Sequence, residues 1–306
     1  MIFFRFVLTH QSGRYTKLQK SPRKAIALRG SFLFCSRGSI KFCPSGSTPL
    51  ALGGQTRAAF PASNGDAYGL FYDCPLESLY LGRTLSYTES SKNGYSPFAM
   101  HNSLSEVTIG PQVTAIGWSA FRSCSSITEL YIPSSVRKLD SSFSWNCSGL
   151  KKVIILGSTP PTTDTSNTLL YGTGEGCRFY VFYPDEFKST KPWSNYANKI
   201  EPICEFLSNF TYSGDRHLIA YKTDFPITFE NMETSVINAG TYTKHMNLTY
   251  KTNGYKIKDV LDYSYTIKKA PLTITAQSCT REEGEDNPEF QFDYDGFVNN
   301  LNSAAL

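Results

Sequence analysis

LSEVTIGPQVTAIGWSAFRSCSSITELYIPSSVRKLDSSF, residues 104–143, is the stretch that decides the fold of this 306-residue chain. Copies of one apolar pattern begin at Leu104 (LSEVTI), Ile127 (ITELYI) and Leu150 (LKKVII), so the copies are 23 residues apart. The later apolar positions of each copy keep the same register. A fixed period of this length indicates a solenoid, in which each unit stacks on the next to bury a continuous core.

A fourth copy, LESLYL at 76–81, lies 28 residues before the copy at Leu104. The five additional residues fall in the polar segment SYTESSKNGYS at 86–96, where a repeat protein accommodates insertions as loops. One unit cannot bury its apolar face by itself, so the sequence predicts a short stack of coils that needs neighbours and caps.

The L-x-x-L-x-L spacing is that of the strand segment of leucine-rich repeats, and two further motifs make the resemblance specific. YIPSSV at 131–136 and AFRSC at 120–124 resemble the turn and the return of the BspA-like leucine-rich repeat, found in bacterial surface proteins of the Bacteroides type. The resemblance implies a solenoid over 70–204 and a location at the cell surface or in the secreted fraction.

Residues 177–203, CRFYVFYPDEFKSTKPWSNYANKIEPI, resemble the closing cap of the same family. The resemblance implies a final strand, a proline turn, a short helix that holds Trp193 and Tyr196, and a last strand.

Beyond residue 205 the pattern changes to short alternating runs separated by Gly, Asn and Asp, which predicts half-buried antiparallel strands. AGTYT (239–243), YTIKKAPLTITA (265–276) and NPEFQFDYDGFVNN (287–300) resemble small β-modules, including the MBG type, that follow such repeats. The resemblance implies a module of the sandwich or β-grasp type at 205–269 and an incomplete second one at 270–306. The predicted fold class is therefore mainly β.

Residues 1–69 form a basic segment, with ten Lys and Arg and no acid before Asp66. One interpretation is a disordered tail or a wrongly assigned start; the other is an arm that binds nucleic acid through phosphate contacts. We favour the first, so no nucleic-acid partner is expected. The sequence shows no signal peptide, and no apolar run approaches the roughly 18 residues of a membrane span.

Residues suited to catalysis or metal binding form no recognisable motif. The four histidines are not paired at a metal-binding spacing, and no GxSxG, GxGxxG or phosphate-binding loop occurs. The eight cysteines include no CxxC pair. We therefore predict neither enzymatic activity nor a metal or cofactor. Cys124 and Cys147, 23 residues apart, are either a disulfide or two buried free thiols, and we favour free thiols.

The candidate binding face follows from strand geometry, because the residue between two inward-facing apolar positions points out of the coil. Aromatic side chains on such a face suit protein or glycan contacts, whereas the alternative is that they only cover the sheet. The predicted ligand-binding residues are Tyr80, Glu106, Thr108, Glu129, Tyr131, Lys152 and Ile154.

The predicted function is a non-catalytic binding or adhesion module of a bacterial surface or secreted protein. The predicted ligand is a protein or a glycan, and host-derived ligands are among the candidates. An alternative is an accessory region of a larger surface enzyme whose catalytic domain lies elsewhere. The sequence specifies neither the ligand nor the oligomeric state.

Overall fold

The computed structural model describes residues 76–86, 96, 98–164, 168–207, 209–299 and 301–305, together with the backbone of four strands between residues 24 and 51. The chain forms two compact units. Unit 1 comprises Met1–Ile203, Phe225–Ile227 and Thr249–Asp259, and unit 2 comprises Cys204–Asp224, Thr228–Leu248 and Val260–Leu306. Residues 225–227 and 249–259, which the sequence assigns to the module at 205–269, thus group with the repeats.

The strands up to Ile203 are short, and most of them recur once per coil. They are β1 (Lys24–Leu28), β2 (Ser31–Ser36), β3 (Ser39–Phe42), β4 (Leu50–Ala51), β5 (Ser78–Leu81), β6 (Leu85–Ser86), β7 (Glu106–Ile109), β8 (Ala115–Ile116), β9 (Glu129–Ile132), β10 (Lys138–Leu139), β11 (Lys152–Ile155), β12 (Arg178–Val181) and β13 (Ile200–Pro202). Strands β1 to β4 fall in the segment 1–69 that the sequence predicts to be disordered or misassigned. The other residues of 1–69 lie outside the described residues.

Within each of two sheets, equivalent strands of successive coils pair in parallel with no shift in register. Leu79 lies beside Val107 in the pair β5 and β7, and Leu130 lies beside Val153 in the pair β9 and β11. One sheet has the order β1-β2-β3-β5-β7 and another the order β13-β12-β11-β9, while β8 and β10 pair on a separate side of the coils. The 23-residue period therefore corresponds to one turn of a β-solenoid, as predicted.

Each coil buries its apolar positions in one continuous core, to which the return segments add Phe98, Phe121 and Phe143. Cys124 and Cys147 lie in the same core as free thiols, so the preference for free thiols is confirmed. The Cys124 thiol donates to the carbonyl oxygen of Phe98 at 3.1 Å, and that of Cys147 to Phe121 at 2.9 Å. Each thiol thus satisfies a carbonyl of the preceding coil.

The C-terminal cap closes the core with a cluster of aromatic rings. Trp193 packs edge-on against Phe179 and Phe187, with ring centroids 5.2 Å apart in both pairs. The predicted short helix that holds Trp193 and Tyr196 is present as the 3₁₀ segment Trp193–Lys199, and an α-helix that was not predicted, α1 (Pro184–Ser189), precedes it. Pro192 lies between the two, and proline disfavours α-helical backbone at the residue before it.

The described residues beyond Ile203 form eight further strands and a 3₁₀ turn at Ser303–Ala305. The strands are β14 (Cys204–Leu207), β15 (Phe210–Thr211), β16 (Ala220–Thr223), β17 (Ile227–Glu230), β18 (Gly240–Thr252), β19 (Tyr255–Lys268), β20 (Thr273–Ala276) and β21 (Phe292–Asp295). They form a sheet with the order β15-β19-β18-β17 and two-stranded antiparallel sheets β14-β16 and β20-β21. The mainly β class is confirmed, with further antiparallel sheets after the repeats.

The long strands β18 and β19 are joined by a tight turn at Asn253 and Gly254. Both turn residues have positive φ, 49° and 77°, which is the requirement of a type I′ turn and the reason for the Asn-Gly pair. Side-chain pairs along the hairpin, such as Thr243 with Ser264 at 3.2 Å, keep the register set by this turn. The end of the hairpin, residues 249–259, belongs to unit 1.

Each helix in the described ranges falls short of the length and apolarity that a membrane-spanning helix needs.

Candidate binding face

The predicted column of outward-pointing residues is aligned by the parallel strand pairs of unit 1. Tyr80 on β5 lies beside Thr108 on β7, and Tyr131 on β9 lies beside Ile154 on β11. The same register adds Tyr180 on β12, which the sequence reasoning missed. The sequence does contain the signal, since Tyr180 lies between two apolar residues in the strand RFYV of the cap.

Three members of this column are not accessible to solvent, although they point out of the coil. Thr108 is 1% exposed, Tyr131 2% and Ile154 0%. The segments 225–227 and 249–259 supply the contacts that cover the column within unit 1. The expectation of an open face is therefore wrong for these three residues.

Tyr250 makes the central contact of this cover. Its ring stacks on the ring of Tyr131 with centroids 5.4 Å apart and planes 13° apart, and its hydroxyl donates to the carbonyl oxygen of Ile109 at 3.5 Å. The Tyr250 side chain is fully buried. Burial raises the pKa of both Tyr131 and Tyr250 above the ordinary value for tyrosine, so both phenols are neutral at physiological pH.

A second ring contact lies across the Asn253-Gly254 turn. Tyr255 packs against Tyr80 with centroids 4.9 Å apart, and the side-chain amide of Asn253 donates to the hydroxyl oxygen of Thr108 at 3.4 Å. The two tyrosines that flank the turn therefore each meet a tyrosine of the column.

Two contacts at the edges complete the cover. The carboxylate of Asp259 accepts hydrogen bonds from the backbone N–H of Ser134, at 2.9 Å, and from its hydroxyl. Phe225 packs against Tyr180 with centroids 5.0 Å apart, and the Lys152 ammonium lies 5.5 Å from the centre of the same ring. Ring stacking, a cation–π contact and a charge-assisted hydrogen bond thus act on one face.

A row of charged side chains beside the column remains exposed. Glu106, Glu129 and Lys152, all predicted as ligand-binding, are exposed to solvent. Register places Glu129, Lys152 and Arg178 on adjacent strands, and Arg178 forms an ion pair with Glu201 at 3.0 Å. The seven predicted residues therefore divide into a covered column, in which Tyr80 is half-buried, and an exposed charged row.

The sequence reasoning did not identify Phe225, Tyr250, Tyr255 or Asp259 as part of this face. The Asn-Gly pair between alternating apolar residues was a hairpin signal, but no local pattern states which surface a hairpin will contact. Within the described ranges, no three His, Cys, Asp or Glu side chains come close enough together to hold a metal ion.

The buried cysteines of the repeats provide a direct test of the coil packing. Burial raises the pKa of the Cys147 thiol to about 12 and also raises that of Cys124, whereas Cys279 is exposed. Because the thiolate is the reactive form, we expect iodoacetamide at pH 8 to alkylate Cys279 at least about 100-fold faster than these buried thiols. Peptide mass mapping with and without urea measures this difference. Equal labelling of Cys147 and Cys279 in the folded protein would contradict the packing described above.

Comparison with known proteins gives a family match for the repeats. Residues 67–166 match the model of the BspA type Leucine rich repeat region, in six copies. A solved structure, a leucine rich cell surface protein from Faecalibacterium prausnitzii A2-165, is similar with 13% identity and a TM-score of 0.30, over 56% of this chain and 41% of that one. The chain thus spans less than half the length of that protein's chain. No curated protein matches.

Proposed function

We propose that this chain, whose residues 67–166 match the BspA type leucine-rich repeat, is a non-catalytic binding or adhesion module of a bacterial surface or secreted protein. The recognition surface is the outer face of the repeat strands, where the exposed charged row lies beside the covered column of Tyr80, Thr108, Tyr131 and Ile154. The ligand is a protein or a glycan.

The observation that carries this proposal is the stacking of Tyr250 on Tyr131. It supports the view that the column is suited to bind aromatic groups rather than only to cover the sheet. Buried aromatic contacts surrounded by polar residues are typical of the points that dominate binding energy at protein interfaces. The exposed charges add a polar rim: Glu129, Lys152 and Arg178 lie side by side on β9, β11 and β12, and Glu106 lies on β7 of the other sheet.

The test uses the whole chain and its exposed charged row, because these side chains are accessible to a ligand whereas the column beside them is covered. We expect the chain to bind at least one component of a panel of purified extracellular-matrix proteins and an array of glycans. The double charge reversal Glu129→Lys/Lys152→Glu is expected to weaken that binding by at least about tenfold, since rim charges set complementarity. Surface plasmon resonance on the positive component measures the change.

The matched control reverses two exposed charges on the cap helix, Glu186→Lys/Lys188→Glu, which lie off the repeat sheet. This control is expected to bind like the unaltered chain. Binding to no component at micromolar concentration, or an equal loss in both double variants, would reject the proposed face.

A further inference from the structure

The covered column is a seat with a defined shape, which we call the hairpin seat: Tyr80, Thr108, Ile109, Tyr131 and Ser134. Residues 249–259 occupy it in this chain with one stacked and one tilted ring pair, two neutral hydrogen bonds and one carboxylate contact. We propose that the hairpin seat binds tyrosine-bearing β-hairpin turns of protein partners, and that residues 249–259 hold it in cis until such a turn displaces them. This inference rests on the proposed function and specifies its ligand class.

The seat accepts a hairpin because its two ring positions match the two sides of a tight turn. Tyr250 and Tyr255 lie on opposite strands of the β18–β19 hairpin, either side of Asn253 and Gly254. Their partners, Tyr131 and Tyr80, lie on different coils of the repeat sheet. One two-residue turn therefore brings both rings onto the column at once.

Polar contacts give the seat a preference for protein over other aromatic or planar ligands. The carbonyl oxygen of Ile109 accepts from the Tyr250 hydroxyl, and the Thr108 hydroxyl accepts from the Asn253 amide. Ser134 offers a backbone N–H and a hydroxyl to a carboxylate, four residues beyond the second tyrosine, at Asp259. The partner chemistry is thus two tyrosines flanking an Asn-Gly type turn, followed by an acidic residue.

The seat is built by the coils themselves. Tyr131 lies between Leu130 and Ile132, which are buried in the repeat core, so strand geometry holds its ring outward. Thr108 is held in the same way between Val107 and Ile109. Removal of the hairpin end is therefore expected to leave the seat formed and open.

Covalent attachment gives the hairpin an advantage over any free partner. Segments joined by a flexible linker act at effective concentrations of about millimolar, so a free turn of equal intrinsic affinity competes poorly with the attached one. The closed state is therefore the resting state of the seat, and the affinity for a free turn increases once the attached turn is removed.

The experiment measures binding of the chain's own turn in trans. The probe is a fluorescein-labelled peptide of residues 245–262, cyclised through cysteines added at its two ends. The receptor is a shortened chain that lacks residues 249–252 and 255–258, which leaves Asn253 and Gly254 between Leu248 and Asp259 in the same hydrogen-bonding phase. Fluorescence anisotropy gives the dissociation constant.

We expect the shortened chain to bind the peptide with a dissociation constant of about 1–100 μM, and the unaltered chain at least about 30-fold more weakly. Tyr131→Ala in the shortened chain, or Tyr250→Ala in the peptide, is expected to lower the affinity at least about tenfold. The matched control is Tyr171→Ala in the shortened chain. Tyr171 is an exposed tyrosine that packs against Trp145 away from the seat, so its removal is expected to leave the affinity unchanged.

Several results would overturn the inference. A folded shortened chain that does not bind the peptide at 1 mM refutes the seat, and equal affinities of the shortened and unaltered chains refute occupancy in cis. Equal losses from Tyr131→Ala and Tyr171→Ala refute the assigned position. If circular dichroism shows that the shortened chain is unfolded, the full-length variant Tyr250→Ala/Tyr255→Ala carries the same expectations.

The peptide experiment tests the hairpin seat, and the matrix and glycan panel tests the proposed function, so the two proposals can fail separately. Binding in the matrix and glycan panel together with no peptide binding rejects the hairpin seat alone. Peptide binding with no positive component in the panel supports the seat and rejects the proposed function as tested.

Discussion

Replacement of Trp193 by alanine is expected to lower the free energy of unfolding by about 3–5 kcal/mol, the typical cost of removing a large aromatic side chain from a core. Trp193 is 1% exposed and packs against Phe179 and Phe187 at the end of the repeat stack. Its indole N–H also donates to the carbonyl oxygen of Pro161 at 2.9 Å. Because stacked coils depend on their terminal caps for stability, the substitution is expected to destabilise the neighbouring coils as well as the cap.

Two controls separate the parts of this effect. Trp193→Phe keeps most of the ring packing but removes the indole donor, so we expect a smaller loss of about 1–3 kcal/mol. Trp118→Ala removes a tryptophan that is 42% exposed and is expected to cost less than about 1 kcal/mol. Urea denaturation monitored by circular dichroism gives the three values. A loss for Trp118→Ala as large as that for Trp193→Ala would show that the cap does not have the assigned role.

The second large effect is expected from Gly149→Ala, in the turn that leads into β11. A Cβ atom at this position would lie 2.1 Å from the carbonyl oxygen of Ser125 and 3.2 Å from that of Ile127, both on the preceding coil. These are backbone atoms held by the stacking of two coils, so they cannot move aside as a flexible side chain would. We expect a loss of about 3 kcal/mol or more, at the upper end of overpacking effects.

The matched control for this substitution is Gly157→Ala, just beyond β11. There the nearest atom to a new Cβ is the carbonyl oxygen of Thr159 at 3.3 Å, and the next is at 3.8 Å. A shift of a few tenths of an ångström relieves that contact, so the change in unfolding free energy is expected to stay within about 1 kcal/mol. Similar urea midpoints for the two alanine variants would contradict the close approach of the coils at Gly149.

The fold of the repeats was predictable because local, periodic sequence patterns specify it. Leu130 and Val153 are one period apart in the sequence and are paired neighbours in the sheet. Burial of the phenylalanines of the return segments follows from the same repetition. The cap helix that holds Trp193 and Tyr196 was predicted, but the separate α-helix before it was not, because the effect of Pro192 on the preceding backbone divides the segment into an α-helix and a 3₁₀ helix.

The candidate site was predictable only in part. The alignment of Tyr80, Thr108, Tyr131 and Ile154 in one column follows from strand alternation, and register in the structure places neighbours as that alternation requires. Solvent access to the column does not follow from it. Exposure depends on what the rest of the chain places over a surface, and no periodic signal encodes that.

The sequence by itself determined the solenoid, its period and the identity of the outward column. Only the tertiary structure decided that residues 249–259 lie on the column, with Tyr250 on Tyr131 and Asp259 on Ser134. The physical reason is the range of the interactions. Periodicity and turn chemistry act between residues that are close in the chain or one period apart, whereas ring stacking and the carboxylate contact join residues more than a hundred positions apart.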